Sequence, residues 1–218
     1  MTLFEKLRCL LTFGQGVALP LPEIKENTDP LTLFSQWFDD ATRSGILLPE
    51  SMSVSSCSKN GQPSSRMVLL KEFDEKGFVF YTNFGSRKSH EFEENSKVAI
   101  LFHWGVLQRQ VRIEGTINKV SSEQSARYFH SRDRGSQIGA WASKQSQKLR
   151  YDNELKERDD YYKEKFSGLS EIPLPEFWGG WQVKPHYIEF WQGRANRLHD
   201  RICFENQGDA WESFKLHP

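Results

Sequence analysis

Hydrophobic and polar positions change rhythm three times along this chain. In "DPLTLFSQWFDDATRSG", Leu31, Phe34, Phe38 and Ala41 recur at helical spacing, so one face packs inward. Asp29 is placed to cap that helix, Pro30 suits its first turn and Gly45 its end. From Met52 to about Val120 the rhythm is that of strands. "SMSVSSCS" and "RMVLLKEF" flank "KNGQP", whose Asn60-Gly61 pair marks a hairpin. "FDEKGFVFYT" supplies the next turn and strand, "SRKSHEFEEN" a short helix, and "KVAILFHW" with "LQRQVRIEGTINKV" another antiparallel pair. Helices return at Ser121, where "SSEQSARYFHS" opens with Ser121 and Gln124 in capping-box positions. A charged helix is expected at about 147–166, then strands near 180–193, 197–205 and 210–215. Short strands at this spacing predict a closed or nearly closed barrel, which removes exposed edges. The expected class is α+β, a β-barrel with peripheral helices. Residues 1–28 read as an irregular N-terminal arm and 29–218 as a single domain.

Composition narrows the field. The chain, at 218 residues, can bury a substantial core. Its 29 basic and 29 acidic residues cancel, so no whole-molecule field draws it to nucleic acid or a membrane surface. The 16 Phe, 7 Trp and 6 Tyr either fill a β-rich core or, in part, line a pocket for a flat ligand. Cys9, Cys57 and Cys203 are far apart and form no CxxC pair or Cys/His cluster. That argues against zinc and for a reduced, cytoplasmic setting. No apolar run is long enough to span a membrane. "LRCLLTFGQGVALPLP" has a faint look of a signal sequence, but Gly14, Gln15 and Gly16 interrupt it and no A-x-A site follows; it reads as a mobile or docking arm.

Several segments concentrate groups suited to anions. In "EFWQGRANRLHDR", Arg197, His199 and Arg201 alternate, so on a strand they share one face, which looks at water or at something anionic. In "RYFHSRDRGSQIGAW", Tyr128, Arg132 and Ser136 are four apart. On a continuous helix they form a stripe with about 6 Å between neighbours. That stripe is either a phosphate grip or an ordinary polar face, and Gly135 weakens the case for an unbroken helix. In "RMVLLK", Arg66 and Lys71 have opposite parity, so they serve different faces or one lies beyond the strand. "YTNFGSRKSH" sets Arg87 and Lys88 near a helix start, where backbone amides favour anions, though no P-loop pattern occurs. Gln110, in "LQRQVRIEG", can meet the polar edge of a ring system or face solvent on the sheet. No Ser-His-Asp order, paired-carboxylate signature or HExxH is visible.

Taken in order, "RMVLLK", "FYTNFGSRKSHE", "RQVRIEG", "YFHSR...SQIGAW", "SKQS", "PEFWGG" and "EFWQG...NRLHDR" closely resemble the pyridoxamine 5'-phosphate oxidase family, from about residue 29 to the C-terminus. The resemblance implies an FMN-binding split β-barrel, a homodimer with FMN at the subunit interface. It implies FMN contacts from Arg66, Met67, Leu69, Lys71, Tyr81, Thr82, Arg87, Lys88, Gln110, Gln145, Ser146, Trp191 and Arg201. It places the substrate phosphate on Lys71, Tyr128, Arg132 and Ser136, with Arg197 and His199 as the catalytic pair at the substrate ring. In that setting Arg197 and His199 face a cleft completed by the partner chain.

The implied reaction oxidises pyridoxamine 5'-phosphate or pyridoxine 5'-phosphate to pyridoxal 5'-phosphate by hydride transfer to flavin. Oxygen is the acceptor and hydrogen peroxide the by-product. Residue types suit the roles, since Arg66, Arg87 and Lys88 bring charge to a phosphate and Trp191 brings aromatic area to a flavin. Two departures from the family pattern stand out. The N-terminal segment has Arg8 but no tyrosine, and Asp133 follows "HSR" where the family commonly has Pro. Asp133 either weakens phosphate binding beside Arg132 or only caps the next turn. Two other functions remain open to such a barrel: a non-catalytic flavin- or pyridoxal-phosphate-binding module, and a nicotinamide-dependent flavin reductase.

Overall fold

The computed structural model describes residues 28–208 and 210–218. The expected arm, apart from Thr28, lies outside them. Helix α1, Pro30–Arg43, starts where its sequence says it should: the Asp29 carboxylate accepts from the Thr32 N–H at 2.8 Å and the Thr32 hydroxyl at 2.7 Å. Its buried face is Leu33, Phe34, Trp37 and Ala41, rotated from the expected stripe, with Leu31 and Phe38 at the margin. The bulkiest ring takes the centre. Phe190 packs edge-on against Trp37 at 5.2 Å, and the Arg109 guanidinium lies 4.4 Å from its ring.

The strands are β1 (Ser51–Cys57), β2 (Pro63–Leu69), β3 (Glu72–Asp74), β4 (Gly77–Asn83), β5 (Lys97–Trp104), β6 (Arg109–Lys119), β7 (Trp178–Gln192), β8 (Asp200–Asn206) and β9 (Trp211–Lys215). All pair antiparallel, in the order β2-β1-β5-β6-β7-β4-β3, with β8 on β7 and β9 on β8. The β1–β2 hairpin turns as expected, with Gly61 at φ +86°. Strict alternation on β1 and β5 sends Met52, Val54, Ile100, Phe102 and Trp104 inward.

Strand β7 organises the curl. Its first residues pair with β4 and its last, from Tyr187, with β8, while β6 runs along the other edge. A bulge at Glu114/Gly115 bends the β6–β7 ladder. The curl returns the end of β2 to β4, where the Lys71 N–H donates to Val79 O at 2.9 Å. This curled antiparallel sheet is the split barrel, with Phe34, Phe78, Phe102 and Phe190 in its core.

The remaining helices are α2 (Arg87–Glu94), α3 (Ser122–Ser131), α4 (Arg134–Ala142) and α5 (Glu154–Lys165). The Ser121 cap forms, its hydroxyl accepting from the Gln124 N–H at 3.1 Å. Two boundaries differ from expectation. Helix α5 starts at Glu154 rather than near 147, since the Glu154 carboxylate instead accepts from the Arg150 N–H at 2.7 Å. Strand β8 starts at Asp200 rather than 197, because Asn196 and Arg197 hold φ +57° and +60°, which no strand accommodates. Among the described residues, no helix is long and apolar enough to cross a membrane.

Candidate active site

A cavity of about 520 Å³ opens between the end of β2, strand β4 and helices α3 and α4. Lys71 lies just past the end of β2, the second of the two placements open for it, and lines the cavity with Met67 and Leu69. Tyr81, Thr82, Lys88 and Gln145 form a second part of the wall, and Tyr128, Arg132 and Ser136 a third.

Those last three residues do not lie on one helix. Arg132 is extended, with ψ 153°, and separates α3 from α4. Asp133 starts the new helix: its carboxylate accepts from the Ser136 N–H and the Ser136 hydroxyl, both at 2.7 Å. The expected stripe is therefore corrected to three residues from two helices and the break between them. They still meet at one cavity, whose wall takes Tyr128 from α3, Arg132 from the break and Ser136 from α4. The Asp133 carboxyl sits below its usual range through these Ser136 bonds, so it is ionised at neutral pH.

Lys88 is 9% exposed, and its ammonium donates to Thr82 Oγ1 at 2.8 Å, Gln145 Oε1 at 2.9 Å and Ser86 Oγ at 3.2 Å. All three acceptors are neutral. Burial, aided by the nearby Arg66 charge, pulls its pKa down to about 8. A buried cation without a counter-ion is a ready partner for an anion.

Arg66 and Arg87 are occupied differently. Both bond to the buried Glu91 carboxylate, Arg66 Nη2 and Arg87 Nε each at 2.8 Å. Burial alone would raise the Glu91 pKa; hydrogen bonds from Ser56, Arg87 and Arg66 outweigh it and hold the carboxyl below its usual range. Arg87 and Ser146 line a neighbouring groove rather than the cavity.

The other expected residues gather elsewhere on the sheet. Gln110, Trp191 and Arg201 stand in register across β6, β7 and β8. The His199 ring lies 4.5 Å from that of Trp191. Its Nδ1 accepts from the Arg194 N–H at 3.1 Å, which leaves Nε2 to carry the proton in the neutral ring. Arg197 is exposed in a 3-10 turn. Arg197, His199 and Arg201 therefore do not share a strand face, since two of them precede the strand, and none of these five residues lines the cavity. Arg201 is fixed by the buried Glu189, whose carboxylate takes Arg201 Nε at 2.6 Å and Arg112 Nη1 at 2.7 Å.

Sequence reasoning missed Trp178 and Glu72. Trp178 lines the cavity and stacks parallel to Tyr81 and Tyr128, with centroids 5.6 and 6.2 Å away. Glu72 accepts from the Tyr81 phenol at 2.7 Å and Gln124 Nε2 at 2.9 Å, which anchors that stack. Burial, then this bond, drives the Tyr81 pKa upward. A signal for Trp178 existed in "FWGG": a Cβ on Gly180 would lie 2.8 Å from a Tyr81 ring carbon, so the glycine lets β7 approach that ring.

Comparison with known proteins identifies the family and the fold. Residues 38–157 match the family model described as pyridoxamine 5'-phosphate oxidase, and residues 178–218 match the pyridoxine 5'-phosphate oxidase C-terminal dimerisation region. The pyridoxine/pyridoxamine 5'-phosphate oxidase of Colwellia psychrerythraea is 73% identical over the whole of both chains. PhzG of Burkholderia lata, solved with tetrahydrophenazine-1-carboxylic acid, is 25% identical, with a TM-score of 0.87 over 93% of this chain and 100% of its own. A pyridoxamine 5'-phosphate oxidase-related, FMN-binding protein of Nostoc punctiforme shares the fold, with a TM-score of 0.71 at 14% identity over 88% of this chain and 100% of its own. The family model spans more than half the chain, and a full-length relative shares nearly three-quarters of its residues. With its split barrel and its own C-terminal dimerisation region, this chain belongs to the pyridoxamine 5'-phosphate oxidase family.

Proposed function

We propose that this chain oxidises pyridoxamine 5'-phosphate and pyridoxine 5'-phosphate to pyridoxal 5'-phosphate, with FMN as its redox group and oxygen as the acceptor. One observation carries this. The cavity wall brings together Lys71, Lys88 and Arg132 with the hydroxyls of Tyr128 and Ser136, and no carboxylate is among its described lining residues. Three cations without an acid beside flat aromatic surface suit phosphate esters of planar rings.

The residues fit FMN on the chemistry of their donors. Lys88 is buried among neutral acceptors and gains a counter-ion from a phosphate. Met67, Leu69, Lys71, Tyr81, Thr82 and Gln145 would border the cofactor from the cavity wall, with Arg87 and Ser146 from the neighbouring groove, and Arg66 joined to Arg87 through Glu91, beside the phosphate. Gln110, Trp191 and Arg201 would complete the contacts from β6, β7 and β8 of the same sheet. Bound FMN supplies a hydride acceptor that oxygen can regenerate.

The chain's own task is positioning. Lys71, Tyr128, Arg132 and Ser136 would hold the substrate phosphate, and Arg197 would set the ring over the flavin while His199 contacts its polar groups. Arg197 and His199 lie away from the cavity but within the matched dimerisation region, as do Trp191 and Arg201. A second copy of the chain would bring them to the cavity, with FMN at the interface between subunits. The free thiols of Cys57 and Cys203 suit a cytoplasmic setting.

The test is direct. Purified protein is inspected for a flavin spectrum and given pyridoxine 5'-phosphate under air, while pyridoxal 5'-phosphate and peroxide are followed. Both products should appear together. Bleaching by NADH with no product would instead indicate a nicotinamide-dependent reductase, and a flavin spectrum with neither response a non-catalytic module. An unchanged kcat/KM in Arg197→Ala would remove Arg197 from the substrate ring.

A further inference from the structure

We propose that Trp178 is a positioning residue for the phosphate grip, holding Arg132 by its ring face so that the guanidinium's charge stays free for the anion. The proposal rests on the assignment of this cavity to a phosphorylated substrate.

A cation meant for an incoming anion poses a physical conflict. It must be held still, and the usual holder is a carboxylate, which cancels the charge on offer. Lys71, Lys88 and Arg132 line the cavity without such a neighbour among its described walls. Arg132 has Asp133 next to it in sequence, but that carboxylate makes its hydrogen bonds to the Ser136 N–H and hydroxyl and acts on Arg132 only through space. Arg132 Nη1 is buried without a hydrogen-bond partner. The Arg132 guanidinium carbon instead lies 4.9 Å from the centre of the Trp178 ring. An indole face attracts a cation and carries no net charge, so it fixes the group without neutralising it.

Trp178 is itself immobilised. Phe129 packs edge-on against the ring at 5.3 Å, the Trp178 backbone N–H donates to Pro175 O at 3.0 Å, and the Trp178 backbone pairs with Asn83. The same ring lies parallel to Tyr128, 3° between planes. One indole thus holds Arg132 on its face and lies parallel to Tyr128, which itself stacks on Tyr81 at 4.0 Å. Burial of Trp178 in its own core, away from the barrel's main cluster, makes that indole a fixed reference for both.

The experiment uses the FMN-loaded enzyme with pyridoxine 5'-phosphate. Trp178→Phe keeps a weaker ring face and should raise KM about threefold, while Trp178→Leu should raise it about tenfold. The effect falls on KM rather than kcat, because the phosphate is held alike in ground and transition states. In an Arg132→Gln background the Trp178→Leu effect on KM should vanish. Melting curves and flavin content check folding, and Trp178→Phe decides the matter if the leucine variant does not fold. If Arg132→Gln raises KM but neither Trp178 variant does, the proposal is overturned and the assigned function stands. An undiminished Trp178→Leu effect without Arg132 also overturns it. If Arg132→Gln itself leaves KM unchanged, the cavity does not hold the substrate phosphate, and both ideas fall together.

Discussion

The side-chain oxygen of Gln145 accepts from the Lys88 ammonium at 2.9 Å and from the Thr82 hydroxyl at the same distance, joining a loop, a helix and a strand around one buried cation. Thr82 and Ser86 complete the set of acceptors, all uncharged. A phosphate arriving here would replace neutral partners with a charged one.

FMN affinity should therefore depend on pH. Lys88 in the folded apoprotein loses its proton near pH 8, and only the protonated form attracts a phosphate. Fluorescence titration should show affinity level from about pH 7, above the phosphate's own second pKa of about 6, up to that pH and weakening above it, a trend that Lys88→Met abolishes. Apoprotein stability carries the opposite sign. Between about 8 and the ordinary 10.5 the unfolded chain binds more protons at this residue, so its contribution to stability rises with pH across that window. Below it the cost is complete.

Asp133 should temper the phosphate grip. Asp133→Asn keeps a competent helix cap but removes the charge beside Ser136. KM for the phosphorylated substrate should fall about two- to fivefold, and the gain should shrink in high salt. Asp133→Ala should gain similarly while lowering the melting temperature through the lost cap. An unaltered KM in the asparagine variant would mean the carboxylate serves the helix alone.

Helix α1 is tied to the barrel through Arg109, 3% exposed, whose Nη1 meets Asp40 at 2.7 Å and whose Nε meets Gln192 at 2.9 Å. Asp40→Ala leaves that buried cation with Gln192 and the Trp37 ring. Since Asp40 is half exposed, a loss of about 1–2 kcal/mol is expected in urea unfolding.

Glu189→Gln should affect both stability and flavin. Its carboxylate is buried between Arg112 and Arg201, so losing the charge should cost about 1–3 kcal/mol. If Arg201 contacts FMN, the flavin dissociation constant should rise severalfold in the same variant. A destabilised protein with undiminished flavin affinity would exclude Arg201 from the cofactor site.

The C-terminal dimerisation region predicts a particle of twice 25.4 kDa in sedimentation. If FMN sits between subunits, dilution that splits the dimer should release the flavin with the same midpoint. Retention of flavin by separated monomers would place the cofactor within one chain.

Much of this was legible because it depends on neighbours in sequence. The Asp29 cap, the Ser121 hydroxyl cap, the Asn60-Gly61 hairpin and the alternation on β5 are local and formed as read, while the Gln124 side chain of the expected capping box reaches Glu72 instead. The ordered motifs also carried the family. Helix α1 was legible as a helix but not in its rotation, since Trp37 takes the centre by packing on Phe190, far along the chain.

The phosphate grip shows the boundary most clearly. Residue types alone marked Tyr128, Arg132 and Ser136 as anion donors, because hydrogen-bonding capacity belongs to the side chain. That they come from two helices was decided by Asp133 choosing to cap α4, a competition between local hydrogen bonds that spacing does not resolve. The place of Trp178 under Arg132, and the pairing of Glu91 with Arg66 and Glu189 with Arg201, needed the curled sheet. The sequence by itself settled most of the elements and which chemistry is available; only the tertiary fold settled which charges are spent on each other and which remain free, because that depends on distances between residues remote in the chain.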